Sequence, residues 1–310
     1  MKKDKKNKNN EENSRIIIGK GEKTFLVINN CIMVLLMIIT LYPMLYVLFA
    51  SLSDPIELGK ASGLLWKPAG FSLRGYEAVL QPENIWIGFR NTIFYVIVGT
   101  AASMLITICG AYPLSRKGFL LKKPITLFIL FTMFFSGGMI PTFLVVQGLG
   151  LTNTVWAMII PGMLSVYNVI VLRTSFESVP ESLYESAALD GANHWHMLTK
   201  ITIPLSKAAL ATITLFYAVG KWGEWYSALV YLQKRRDLYP LQMFLRELLV
   251  VQEDMDALLS SSVGAAADAY LLKEVIKYAT IIVTTVPILC VYPFLQKYFV
   301  KGVLIGGVKE

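Results

Sequence analysis

The 26 residues from Phe25 to Ala50 contain no charged side chain, and a run of that length admits few folds. As an α-helix, about 20 apolar residues cross roughly 30 Å of hydrocarbon. A helix also satisfies its backbone N–H and C=O groups within its own segment, as a structure in lipid must. Five further stretches are long and mainly apolar, the last two carrying Lys221 and Glu224, and Lys277: Asn91 to Leu114, Ile125 to Val146, Thr154 to Leu172, Ala208 to Val230 and Val275 to Leu295. The expectation is an all-α integral membrane protein with six transmembrane helices in one domain, residues 25–299. Composition agrees: 55% of the 310 residues are hydrophobic and 16% charged, far from soluble globular usage.

The first run does not read as a cleaved signal, because residues 1–24 are mostly polar, the apolar run is too long and no A-x-A site follows. Lysine and arginine then orient the chain. With a cytoplasmic N-terminus, 18 of them fall in inside segments and nine outside, while Lys221 and Lys277 lie within spans. The excess places both termini in the cytoplasm. Residues 1–24 form a charged, low-complexity tail suited to touching anionic lipid head groups, and residues 300–310 form a second cytoplasmic tail. The net charge of +8 is therefore mostly topology. Nucleic acid is not an expected partner, since no basic patch is interleaved with aromatics on a soluble domain. Cys31, Cys109 and Cys290 all fall inside spans and imply no disulfide framework.

Function is expected in three polar segments, 51–90 and 231–274 outside and 173–207 inside, or between the helices. The inside segment reads as a helix, a turn and a helix. Ser178 and Glu181 have capping-box spacing and Pro180 suits a first turn, so a helix is expected to start there. Asp190-Gly191 ends it, glycine accepting a left-handed backbone. A second helical stretch runs from Asn193 to Ile201 and is stopped by Pro204. Leu183, Tyr184, Ala187 and Ala188 share one side of the first, and Trp195, Leu198 and Ile201 form a ridge on the second. Small residues beside an apolar ridge suit docking into a groove on another protein.

Here the sequence resembles a known family. Glu185-Ser186-Ala187, three residues, Gly191, nine residues and Ile201-x-Ile203-Pro204 look like the EAA loop of ABC importer permeases, E-A-A-x3-G-x9-I-x-L-P. That loop lies between the fourth and fifth of six spans, as here. Ser186 and Ile203 depart from it conservatively. Ser51 to Pro55, Phe131 to Val145, Leu149 to Gly162 and the tail from Tyr292 extend the likeness to the carbohydrate-uptake branch, and within it to permeases serving oligosaccharides cut from complex polysaccharides. The resemblance implies a bacterial cell-membrane permease subunit that moves an oligosaccharide inward. It implies three partners: a second homologous permease, an ATPase dimer and an extracellular substrate-binding protein. It assigns coupling to the ATPase to Glu185, Ser186, Ala187, Gly191, Ile201 and Pro204.

No enzyme or cofactor is expected in this chain. A phosphate-cradling G-x4-G-K-[ST] loop needs a hydroxyl residue after its lysine. The Gly-Lys pairs at 19–20, 59–60 and 220–221 are followed by Gly21, Ala61 and Trp222. ATP and its magnesium would belong to the partner ATPase. His194 and His196, the only histidines, point in different directions on a helix and have no further ligand at metal spacing, so no metal site is expected.

The competing class is an ion-gradient-driven secondary transporter or channel. Such folds often carry matched helix breaks in two halves, whereas Gly137-Gly138 and Pro141 interrupt the third span without a counterpart in the sixth. That break either lines a cavity or kinks against a neighbour. The long segment 231–274 reads either as a solvated cap or, by the resemblance, as a contact for the binding protein. Finally, Lys221, Trp222, Glu224, Trp225 and Tyr226 are expected to line the translocation path. Charged side chains in mid-membrane favour a cavity or a partner, and flat aromatic faces with polar tips suit sugar rings. The i,i+3 spacing of Lys221 and Glu224 equally allows a purely structural pair.

Overall fold

The computed structural model describes residues 19–61, 63–248 and 271–290. Residues 1–18 of the first tail, the whole second tail, residues 249–270 of the outer segment and the expected end of the sixth span at Leu295 lie outside the described residues, whereas Lys20 to Thr24 of the expected tail are helical.

Helix α1 (Lys20–Ser51) is the run that opened the sequence, and its apolar stretch is exposed in the single chain up to Leu41, becoming partly buried from Tyr42 to the buried Ala50. Its end is tied down: Ser51 Oγ lies 2.8 Å from Tyr76 Oη, and the Leu65 amide donates to Tyr42 Oη at 3.0 Å. Asp54 then caps the short helix Pro55–Lys60, accepting from the Ile56 amide at 3.0 Å.

Helix α2 (Glu83–Ser115) is the axis of the domain. Its buried face carries Gly88, Thr92, Tyr95, Gly99, Ser103, Thr107 and Ala111, every three or four residues. Small and hydroxyl side chains at helical spacing let neighbouring backbones approach closely in lipid. Two apolar clusters sit at its two ends. One joins Ile85 and Tyr95 to Met158, Leu241 and Phe244; the other joins Ala111 and Leu114 to Leu172, Phe176, Leu198 and Ile213.

Three of the expected spans are not continuous helices: the break in the third was expected from Gly137-Gly138, and those in the fourth and fifth correct the sequence reading. The third divides into α3 (Lys122–Phe134) and α4 (Met139–Gly148), bent by 114°, with Gly138 at φ +88°. A side chain at Gly138 would strain that backbone. The fourth divides into a one-turn helix, Trp156–Ile159, and α5 (Val166–Glu177), separated by Pro161 and Gly162. Ser165 restarts it, its Oγ accepting from the Asn168 amide at 3.4 Å. The inside segment follows as α6 (Glu181–Leu189) and α7 (His194–Met197). The fifth expected span divides into α8 (Lys207–Trp222) and α9 (Tyr226–Tyr231) around Gly223. Among the described residues two helices are long and apolar enough to cross unbroken, and up to four cross if each bent pair forms one span. A helix over 271–290 completes the described chain.

The segment after α9 is packed, not an open loop, up to residue 248. Asn91 Nδ2 donates to the carbonyls of Asp237 and Tyr239 at 2.8 and 3.0 Å, and Thr92 Oγ1 accepts from the Leu241 amide at 2.8 Å. Gly88 makes this possible, since a Cβ there would lie 2.9 Å from Leu241 Cα.

Candidate functional site

The hairpin α6–α7 is built by its own backbone chemistry. Helix α6 starts after Pro180 without a side-chain cap. Ser178 does not form the expected capping box: it ends α5, and its Oγ donates to the Ser175 carbonyl at 2.7 Å. Only Ser178, Val179 and Pro180 separate the two helices, and Ser178 is the C-cap of the first. At the other end Gly191 has φ +78°, its amide donating to Ala188 O at 3.0 Å and the Ala192 amide to Ala187 O at 2.8 Å. This paired closure satisfies two carbonyls that a helix end leaves open. Asn193 starts α7, accepting from the His196 amide at 2.8 Å.

Beyond α7 the backbone widens into a π turn, Leu198–Thr202, and continues helically through Pro204 to Leu205 before bending by 84° into α8. Pro204 therefore does not stop the helix as expected. It occupies the first turn of Ile203–Leu205, where its missing N–H costs nothing.

Packing separates the faces of the hairpin. Val179, Tyr184 and Met197 are buried, with Ala187, Ala192 and Ile201 packed on them. Tyr184 Oη lies 2.8 Å from Thr202 Oγ1, joining the two arms. Ala187 is thus turned into the hairpin's own core, while Glu185, Ser186 and Ala188 are exposed. The ridge expected from Trp195, Leu198 and Ile201 is divided: Leu198 is buried against α2, whereas Trp195 is 69% exposed and Leu189 90%.

Arg116, which sequence reasoning had counted only as an inside charge, anchors the hairpin. Its guanidinium lies 3.5 Å from the centre of the Tyr184 ring and 5.6 Å from that of Tyr112. Tyr112 in turn lies edge-on to His194 at 6.3 Å. A cleft of about 690 Å³ between the end of α2 and α6 is lined by Arg116, Lys117, Glu181, Glu185 and His194. Nothing local in the sequence marks Arg116, since its partner is 68 residues away. Beside the cleft, Glu177 receives Lys122 at 2.7 Å and Arg173 at 3.1 Å. Burial pushes the Glu177 carboxyl upward, but the hydrogen bonds from Lys122 and Arg173 outweigh it and hold it below the ordinary value.

The second candidate region does not form one lining. Lys221 is 6% exposed, and its Nζ donates to the Met158 carbonyl at 2.9 Å. Glu224 is engaged separately, its Oε1 accepting from the Ser227 hydroxyl at 2.6 Å and the Ser227 amide at 3.3 Å. The i,i+3 pair that the spacing allowed is not among the ion pairs of the described residues. Trp222 packs inward, donating from Nε1 to Thr284 O at 3.1 Å. Trp225 and Tyr226 face outward, with the Arg246 guanidinium 4.9 Å from the Trp225 ring. Tyr226 hydrogen-bonds Met139 Sδ, and Phe143 stacks on Tyr231 with ring centres 6.3 Å apart. The half-helices that follow two of the breaks, α4 and α9, therefore meet. They enclose a groove of about 540 Å³ lined by Met139, Ile140, Phe143, Tyr226 and Gln233. Among the described residues no cluster of metal-ligating side chains occurs.

Residues 102–305 match the family described as binding-protein-dependent transport system inner membrane component. The polygalacturonan/rhamnogalacturonan transport system permease protein YtcP of Bacillus subtilis (strain 168) is 39% identical over 88% of this chain and 93% of its own length. The protein LplC of the same organism is 38% identical over 87% and 90%. Among solved structures, a bacterial ABC transporter involved in the import of the acidic polysaccharide alginate aligns with a TM-score of 0.80 and 32% identity, over 91% of this chain and 98% of that one. The chain belongs to the binding-protein-dependent transport system inner membrane components, and is a permease subunit of an ABC transporter.

Proposed function

We propose that this chain is the membrane-spanning subunit of an ATP-driven importer that carries an oligosaccharide inward through a path shared with a second, homologous permease. An ATPase dimer supplies the energy and an extracellular binding protein delivers the cargo. The chain crosses the membrane six times, with both termini cytoplasmic. The relatives named for polygalacturonan/rhamnogalacturonan and alginate favour a uronate-bearing oligosaccharide as cargo.

The observation that carries the reading is the hairpin from Tyr184 to Pro204. It has a closed turn at Gly191 and a stacked anchor at Arg116, and it presents Leu189 and Trp195 outward. Such a rigid element with an exposed apolar face transmits movement of a docked ATPase to α2 and α8. Glu185 and Ser186 lie on the exposed side of this docking element, while Ala187, Gly191, Ile201 and Pro204 hold its shape. In the translocation path Trp225, Tyr226 and Glu224 face the sugar, with Lys221 and Trp222 behind them. The outer segment 231–274 meets the binding protein.

Uptake of a labelled uronate oligosaccharide into sealed vesicles, with and without the ATPase subunits, tests the class. Transport is expected only with ATPase and ATP inside. Uptake that persists on an ion gradient alone would replace this reading with a secondary transporter.

A further inference from the structure

Resting on the importer reading, we propose that Lys221 is a positioning residue that bolts the broken fourth span to α2 and α8, and that it does not sense the charge of the cargo. Three separately folded segments meet at this one side chain. Its Nζ donates to Met158 O at 2.9 Å. Met158 belongs to the one-turn helix Trp156–Ile159. In a continued helix its carbonyl would accept from residue 162, but the chain turns away at Pro161 and Gly162. An unmet carbonyl inside a membrane is costly, and Lys221 supplies the missing donor.

The surroundings are shaped for this stem. A Cβ on Gly99 of α2 would lie 3.3 Å from Lys221 Cε and 3.4 Å from Cδ. A Cβ on Gly162 would lie 3.5 Å from Nζ. The glycine on the central helix therefore leaves the slot in which the lysine stem lies, while at Gly162 a Cβ would touch Nζ only at ordinary contact distance. Glu224 accepts from Ser227 and forms no ion pair with the amino group among the described residues. Two residues beyond Lys221 the fifth span itself breaks at Gly223, and Trp225 and Tyr226 follow. Lys221 thus fixes the break of the fourth span relative to the break that aims the aromatic pair. Because its amino group is buried and directed at Met158 O, loss of Lys221 disturbs the geometry of the path for every cargo.

The test uses the complete reconstituted complex with its binding protein, a uronate trisaccharide and its carboxyl-reduced neutral counterpart. Lys221→Met keeps the stem and removes the donor; Gly99→Ala keeps the donor and closes the slot. Both variants are expected to insert and assemble. Uptake per assembled complex, and stimulation of ATP hydrolysis by the loaded binding protein, fall roughly tenfold in Lys221→Met, as for loss of a hydrogen bond to an ionic donor. They fall less in Gly99→Ala. Relative to wild type, acidic and neutral sugars are lost in equal proportion. Selective loss of the acidic sugar would overturn the proposal by placing the lysine in contact with cargo. Unchanged activity per complex with reduced yield would reduce it to a packing residue and also overturn it. If Lys221→Met does not assemble, the same readouts on Gly99→Ala decide. A wild-type complex that takes up sugar without ATP would instead sink the importer reading.

Discussion

Arg116 carries a larger share of the coupling geometry than its single charge suggests. A guanidinium 3.5 Å from the Tyr184 ring is a planar contact that lysine does not reproduce. Arg116→Ala is expected to loosen α6 from α2 by about 1–2 kcal/mol, lowering uptake more than ATP hydrolysis; Arg116→Lys restores only part of the ratio. Equal uptake per ATP in both variants and wild type would remove Arg116 from the linkage. Glu177, between Lys122 and Arg173, gives a pH signature. Its folded-state carboxyl sits below the ordinary value, so its stabilisation is present at neutral pH and is lost as pH falls through that lowered value. Glu177 is partly exposed, so the pair contributes at most about 1 kcal/mol. Thermal melting of the purified permease is expected to become less sensitive to acidification in Glu177→Gln, and an unchanged acid slope would show that the cluster is not the source. Neither residue was marked by the sequence beyond its charge, because one partner of each, Tyr184 for Arg116 and Lys122 for Glu177, lies far along the chain.

At the scale of elements, the turn at Gly191 was legible and much of what surrounds it was not. Asp190-Gly191 after a helical stretch announces a left-handed closure, and Gly191 adopts it at φ +78°. The inward turn of Ala187 was not legible, since it depends on how Val179 and Met197 close over Tyr184. Gly191→Val places a β-branched residue in the left-handed region, at about 1–3 kcal/mol of strain. Hydrolysis should continue in this variant while uptake per ATP drops several-fold; normal coupling would mean that the turn need not be rigid. The helix break at Gly137-Gly138 was legible, but its 114° angle and the break at Pro161-Gly162 in the fourth span were not; after the turn at Gly138, α4 packs on α9. The outer segment 236–248 had no periodic signal strong enough to separate it from a loop. Its order comes from long-range hydrogen bonds to Asn91 and Thr92 and from the space at Gly88.

For the molecule as a whole, hydropathy alone fixed the class, because apolar runs of this length have no other stable solution. The EAA-like spacing then pointed to the segment proposed to contact an ATPase, while the exposed surface of that segment emerged only with the fold. Leu189 and Trp195 are the most exposed large apolar side chains of a hairpin whose core is Val179, Tyr184 and Met197. The central claim is that this face docks the ATPase, and co-purification of the ATPase with a permease carrying both Leu189→Asp and Trp195→Asp tests it most directly. The account predicts a permease that inserts at wild-type level, melts within about 1 kcal/mol of wild type as expected for exposed positions, and loses the ATPase and ATP-driven uptake together. Retention of the ATPase at wild-type stoichiometry with normal uptake would contradict it.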